Sequence, residues 1–505
     1  MRTRKAFLNI LASFAQQLTS VLTGFVIPAA LIGAFGSETY GAIGTITQYL
    51  SFITLLESGV GGVTRAALYK PLASKDIKEI SSIVRATESF FRKIGLIFIM
   101  YVLCVATSFP FITDYSGGWA VSFGLTLAIA AGTCAQYFFG LTYSLLLQAD
   151  QRSYVTSLLQ IVTSIINAVA IVILVNFGCG VVVVEAVSAI FFIIRPLVLG
   201  AYVKRRYRLI EDALPNNDAL ANRWDGLGHH LAFYLRSNVA TVALSLLSSL
   251  SEVAVFSVYN LIANGLQKIV QSFTSGIEAA FGNMIAKDEQ QALLANFRAY
   301  ELISSLTAIA AFSTAISTVI PFVSVYTSGV SDTNYIRPLF AFLLLLATAL
   351  YCFRLPYNSV VLAAGHYRQT RGGAFAEAIL CVVLSFLLAG PFGLEGVAVA
   401  LLVATLFRTI NFGLYALRNI VKMPLNHFFR HMTFTFGGIL ACSCTGLAIS
   451  SRFSCDGYEE WVCFAAIVFV ISCSIALIGA ALFYREDLRL IGKKFLSLVG
   501  RGDRR

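Results

Sequence analysis

The chain has 505 residues, 57% hydrophobic and only 12% charged, with a mean hydropathy of +0.78 and a formal net charge of +11. A soluble protein of this length needs far more polar surface, and an outer-membrane barrel would show short alternating segments instead. Apolar stretches of about 20 residues, long enough to cross a hydrocarbon core, recur from end to end and identify an all-α polytopic membrane protein.

Fourteen transmembrane helices are predicted, over 7–33, 41–64, 94–113, 119–147, 154–176, 180–203, 231–249, 253–283, 299–323, 337–363, 372–390, 393–417, 432–451 and 460–483. Arg2, Arg4 and Lys5 before the first span resemble the basic region of a signal peptide. The apolar run that follows is long, carries polar residues and lacks a convincing cleavage site, so it reads as a retained helix. Lysines and arginines gather in alternate loops: Lys70 to Lys93, Arg152, Lys204 to Arg223, Lys287 and Arg298, Arg368 and Arg371, then Arg418 to Arg430. The intervening loops hold only Arg337 and Arg452. This asymmetry places both termini in the cytoplasm. It also accounts for the net charge as a topology signal, leaving no case for a nucleic-acid partner.

Ten cysteines are scattered, mostly inside spans, without CxxC or Cys/His ligand spacing. No metal site and no cofactor is expected from them. Pairing of Cys455 with Cys463, near the outer face, stays open.

The chain repeats itself. "YFFGLTYSLLLQA" (Tyr137–Ala149) is echoed by "YCFRLPYNSVVLA" (Tyr351–Ala363). At nearly the same offset Arg85-Ala-Thr-Glu88 matches Arg298-Ala-Tyr-Glu301, and Pro110–Tyr115 matches Pro321–Tyr326. Arg195, Gly200, Tyr202 and Arg205 match Arg408, Gly413, Tyr415 and Arg418. Spans 1–6 and 7–12 therefore read as two parallel six-helix repeats forming two lobes, followed by two C-terminal helices. Such halves handle substrate between them. The expected organisation is an N-lobe over 1–203, a cytoplasmic linker over 204–230, a C-lobe over 231–417, and helices 13–14 with a basic tail over 418–505.

"YGAIGTITQYLSFITLLESGVGGVTRAAL" (Tyr40–Leu68), "LSEVAVFSVYNLI" (Leu250–Ile262) and "FGLEGVAVALLVATLFRTI" (Phe392–Ile410) resemble Wzx-type polysaccharide flippases. These belong to the multidrug/oligosaccharidyl-lipid/polysaccharide exporter superfamily. The resemblance covers essentially the whole chain, in order. It implies a non-enzymatic flippase of the bacterial inner membrane, working by alternating access. The implied cargo is an undecaprenyl-pyrophosphate-linked oligosaccharide repeat unit for cell-surface polysaccharide (capsule, O-antigen or exopolysaccharide). Membrane lipids are the other implied partners, while proton or sodium coupling and a polymerase partner of the same pathway stay open.

Ionisable groups inside spans are the informative residues, since each costs about 2.5–3.5 kcal/mol at a helix centre. Arg354, Lys268 and Arg236, all in the second repeat, are the candidate ligands of the headgroup phosphate, because cations suit phosphate and guanidinium can grip it bidentately. The competing reading of Arg354 is structural: it pairs with a neighbouring carboxylate or caps backbone freed by Pro356. Its repeat counterpart is Gly140, and that of Lys268 is Thr54, so the repeat unit itself requires neither charge. Arg195 and Arg408 occur in both copies and read as architectural; Glu377 reads as interfacial. Glu57, the main acid deep in the first repeat, is the candidate for gating or coupling, with structural pairing as its alternative; its counterpart is Gln271.

Two other cargoes compete. A lipid II flippase shares the two extra helices but generally has arginines in its first helix, where this chain has none. A cation-coupled drug or metabolite antiporter usually has an acid there, and none lies between Ala6 and Ser37.

Overall fold

A computed structural model describes residues 2–57, 59–210, 213–216, 227–272, 277–450, 453 and 455–499; the side chains of 2–7, 227–233, 236, 237, 272, 279, 367 and 493–499 are outside that description. Among the described residues all regular structure is helical. In the first part of the chain come α1 (Arg2–Leu50), α2 (Thr54–Glu57), α3 (Val60–Ser74), α4 (Ile77–Thr113), α5 (Gly118–Phe139), α6 (Leu141–Ala149), α7 (Ser153–Asn176), α8 (Val181–Tyr207) and α9 (Leu227–Leu247). They are followed by α10 (Leu250–Ser272), α11 (Ile277–Ala286), α12 (Gln290–Tyr326), α13 (Pro338–Ala363), α14 (Tyr367–Ala416), α15 (Leu425–Ser450), α16 (Tyr458–Phe483) and α17 (Arg485–Val499).

Eleven helical stretches among the described residues are long and apolar enough to cross a membrane, and the protein is a multi-pass membrane protein. Large apolar side chains such as Phe14, Phe111, Phe177 and Leu482 are exposed on it, as lipid-facing positions must be. Two of the stretches contain a break. A straight helix of 50 residues would run about 75 Å, far beyond a hydrocarbon core of about 30 Å. In α1 the break is at Gly36 (φ 80°, ψ 169°) and in α14 at Gly393 (φ 52°, ψ −128°), backbone angles that glycine adopts without a Cβ clash.

Two expected spans are not continuous helices. The stretch 41–64 is interrupted by a 3-10 turn at Ser51–Ile53 and again at Gly59 (φ 93°), which leaves Glu57 at the end of the four-residue α2. The stretch 119–147 is divided at Gly140. A Cβ there would come within 2.7 Å of Pro196 on α8, so the missing side chain is what lets the two segments approach. By contrast α13 runs unbroken through Pro356.

The internal repeat extends to backbone detail. α4 and α12 each have 37 residues, and their bounds differ by 213 positions at both ends. Left-handed non-helical residues recur in register: Lys75 with Asp288, Gln151 with Gly365, and Arg208 with Lys422. A left-handed residue ends a helix by turning the chain out of the spiral. For a non-glycine residue it costs roughly 1–2 kcal/mol, so five such residues at matching positions reflect tertiary demand over local preference.

By packing, the chain forms two compact units, Met1–Ser257 and Val258–Arg505, divided within α10. In the first, Phe91, Phe98, Phe109 and Tyr137 centre the core. Gly41 of α1 touches the backbone of Leu250, where any Cβ would fall 1.7 Å from the carbonyl oxygen. In the second, Phe297, Phe353, Tyr357, Phe412 and Phe428 form the largest aromatic cluster. There α15 and α16 pack along α12, with Gly438 against Ile309 and Gly446 against Ser317 giving close backbone approach. Cys455 and Cys463 are free thiols.

Candidate functional site

Helix bookkeeping explains how three charges meet in the second unit. α13 and the first limb of α14 are joined by the short turn at 364–366, where Gly365 is left-handed (φ 70°). Arg354 lies ten residues before that turn and Glu377 eleven residues after it, so both stand about 16 Å from it at helical rise. The break at Gly393 folds the chain a second time. Glu377 lies sixteen residues before it and Arg408 fifteen after it. Two reversals with nearly equal arms put Arg354, Glu377 and Arg408 at one level on three successive limbs.

The side chains make contact there. Arg354 Nη1 is 3.1 Å from Glu377 Oε1, and Arg408 Nε is 3.7 Å from Glu377 Oε2. Both arginines and the glutamate are buried, at 8%, 6% and 6% exposure. Arg408 also donates to the Thr370 carbonyl (3.0 Å) and stacks on Phe412, 4.1 Å from the ring centroid. Arg354 lies over Tyr351 (5.1 Å), whose hydroxyl accepts from Gln271 Nε2 at 3.1 Å. Gly373 leaves the room that Arg408 occupies, since a Cβ at 373 would be 2.2 Å from Arg408 Nη1. Among the described residues, two guanidiniums on one carboxylate give the layer a surplus of one positive charge.

Arg354 therefore faces a carboxylate, as its structural reading anticipated. Glu377 is not interfacial but buried at the centre of the layer. The apolar stretch begins at 372, whereas the helix begins at Tyr367, so Glu377 sits about a turn and a half deeper than expected. Arg408, read as architectural from its recurrence, joins the charged layer; its counterpart Arg195 lies over Phe192 (5.8 Å) and is only half-buried. Counting residues either way from the two glycine turns was the signal that could have found both.

The other candidates are placed separately. Lys268 is exposed on α10, one turn before Gln271. Arg236 belongs to α9, but its side chain lies outside the described residues. Glu57 is in the first unit and hydrogen-bonds Tyr137. Its repeat counterpart Gln271 contacts Tyr351, the counterpart of Tyr137, with the direction reversed, the amide donating to the hydroxyl. A second pair of contacts repeats as well: Glu88 with Tyr143 in one unit and Glu301 with Tyr357 in the other. The sequence repeat is thus a repeat of side-chain contacts, while the Arg354–Glu377–Arg408 layer belongs to the second copy, where Gly140 and Thr163 occupy the first-copy positions of Arg354 and Glu377.

No protein-family model and no curated protein matches the sequence. Solved structures do match the fold. The lipid II flippase MurJ, in an inward closed conformation, superposes with a TM-score of 0.70 at 13% identity, covering 94% of this chain and 99% of the other. An inward-facing multidrug resistance MATE family transporter of the MOP superfamily superposes with a TM-score of 0.64 at 14% identity, covering 84% of this chain and 99% of the other. A MOP superfamily transporter from Pyrococcus furiosus, described as having a binding pocket of reversed polarity, gives 0.58 at 16% identity over 83% of this chain and 96% of its own. The chain has the fold of MOP-superfamily transporters.

Proposed function

We propose, from this MOP-superfamily transporter fold, that the chain is a flippase for an undecaprenyl-pyrophosphate-linked oligosaccharide serving cell-surface polysaccharide synthesis. The observation that carries the reading is the Arg354–Glu377–Arg408 layer, a buried cluster with one surplus positive charge inside a membrane fold. Intramembrane charge is expensive and marks substrate or ion pathways; an excess of guanidinium suits a diphosphate. In this proposal Arg354 contacts the headgroup phosphate when Glu377 releases it, with Arg408 then holding the carboxylate. Lys268 and Arg236 set the surrounding field. The chain crosses the membrane fourteen times: the stretches broken at Gly36 and Gly393 each supply two crossings, and α9 supplies one. The two six-helix halves insert in the same direction, with both termini in the cytoplasm.

The cargo is tested by reconstituting the purified protein in vesicles with a fluorescent undecaprenyl-pyrophosphate-linked oligosaccharide in the inner leaflet. Its appearance in the outer leaflet, faster than in protein-free vesicles, is the expected result; no acceleration overturns the reading. A second cargo, lipid II, is favoured by one observation: the likeness to the lipid II flippase spans 94% of this chain, against 84% for the MATE transporter. Lipid II in the same vesicles decides between them.

Glu57 has the gating or coupling role in this proposal. It ends the short α2 between two interruptions, the kind of broken helix that lines transport sites. Gln271 already makes the equivalent tyrosine contact as an amide, so Glu57→Gln is expected to fold at normal membrane levels and transport more slowly. Wild-type rates in the vesicle assay would remove the role.

A further inference from the structure

The second unit holds another polar cluster that the flippase reading does not use. Glu301 of α12, 2% exposed, accepts from the Tyr357 hydroxyl through Oε1, and its Oε2 lies 2.6 Å from His427 Nε2. His431, 1% exposed, places Nε2 2.8 Å from Ser305 Oγ and 3.3 Å from the Glu301 carbonyl oxygen. His431 Nδ1 is buried with no hydrogen-bond partner among the described residues. An imidazole nitrogen enclosed without a partner loses its hydration and gains nothing in return.

The two histidines are four residues apart on α15, in "HFFRH" (His427–His431), so one helix face presents both rings. Their planes are 9° from parallel, with centroids 5.8 Å apart. One donor atom from each histidine and one carboxylate oxygen of Glu301 lie within 4.8 Å of one another.

We propose that Glu301, His427 and His431 form a binding site for a divalent transition-metal ion of the zinc class. Two imidazoles and one carboxylate are a donor set that zinc takes. Tetrahedral bonds of about 2.1 Å put donor atoms roughly 3.4 Å apart, so the three need contract by little more than an ångström at most. The contact between His427 and Glu301 opens to admit the ion, and the proton they share is released to solvent. Tyr357 then orients the carboxylate from behind, as outer-shell partners of metal ligands do. Asp487 of α17 lies within electrostatic range of Glu301, His427 and His431 and also of Arg298, so Asp487 balances the guanidinium while Glu301 supplies the anionic ligand. The ion ties α15 to α12, and so holds the C-terminal helices to the rest of this unit. The absence of CxxC and Cys/His ligand spacing gives no metal site in the sequence, because this donor set has no cysteine and its carboxylate lies 126 residues from His427.

The test uses the full chain in detergent, purified through a tag without histidine and titrated calorimetrically with zinc chloride. One equivalent is expected to bind, releasing protons and raising the thermal midpoint. His427→Ala and His431→Ala each abolish that uptake, while Tyr357→Phe weakens it by about 10- to 100-fold. The variant His229→Ala/His230→Ala/His366→Ala, which leaves only the two α15 histidines, keeps the full equivalent, so the test stands even where a single-site variant fails to fold. No uptake by the wild type, or uptake kept by His427→Ala and lost by the triple variant, overturns the proposal.

Discussion

Glu377→Gln is expected to lower the stability of the detergent-purified protein by about 3–5 kcal/mol, the scale for breaking a buried ion pair from one side. The carboxylate lies between two buried guanidiniums, at 3.1 and 3.7 Å. An amide there leaves two like charges at one level inside the bundle without the carboxylate that offset them. The thermal midpoint and the amount of protein reaching the membrane both report this. Removing one arginine as well, in Glu377→Gln/Arg408→Met, is expected to recover part of the loss, because the remaining positive charge then matches the surplus of the native layer. A midpoint unchanged by Glu377→Gln would show that water or lipid headgroups already solvate the arginines. Replacing the whole layer, as Arg354→Met/Glu377→Met/Arg408→Met, separates stability from function. Apolar replacement of a buried ion cluster is often neutral or stabilising, so this variant is expected to fold, yet to be inactive if the charges serve transport. Full activity in it would leave the layer a purely structural one.

Arg354→Ala is expected to reduce transport by about 10- to 100-fold, the worth of one charge-assisted hydrogen bond of roughly 1.5–3 kcal/mol, with little change in membrane levels. The asymmetry with Glu377 has a physical reason. When Arg354 is removed, Arg408 still neutralises Glu377 at 3.7 Å, so no charge is left uncompensated. Arg354→Lys keeps the charge but loses the planar fork, and an intermediate rate is expected. Vesicle transport normalised to reconstituted protein measures both variants against the wild type. A well-folded alanine variant with the wild-type rate would remove Arg354 from the headgroup proposal.

The sequence by itself determined the membrane class, because hydropathy follows directly from side-chain chemistry. It also determined the internal repeat. The matched Tyr137/Tyr351 and Tyr143/Tyr357 turned out to make matched contacts, to Glu57 or Gln271 and to Glu88 or Glu301. Span positions followed from apolar runs, but helix starts did not, since polar first turns such as Tyr367–Arg371 continue a helix beyond its apolar stretch. That shift of five residues is why Glu377 read as interfacial. Interruptions within apolar runs, at Ser51–Gly59 and Gly140, were equally hidden, because hydropathy does not record backbone angles. What only the tertiary structure decided is which charges and donors face one another. Arg354 meets Glu377 and Arg408 because two chain reversals have nearly equal arms, and Glu301 meets His427, 126 residues away, because α15 packs along α12. Local sequence sets each helix; the distances between limbs depend on where the chain turns and how closely small residues let helices approach.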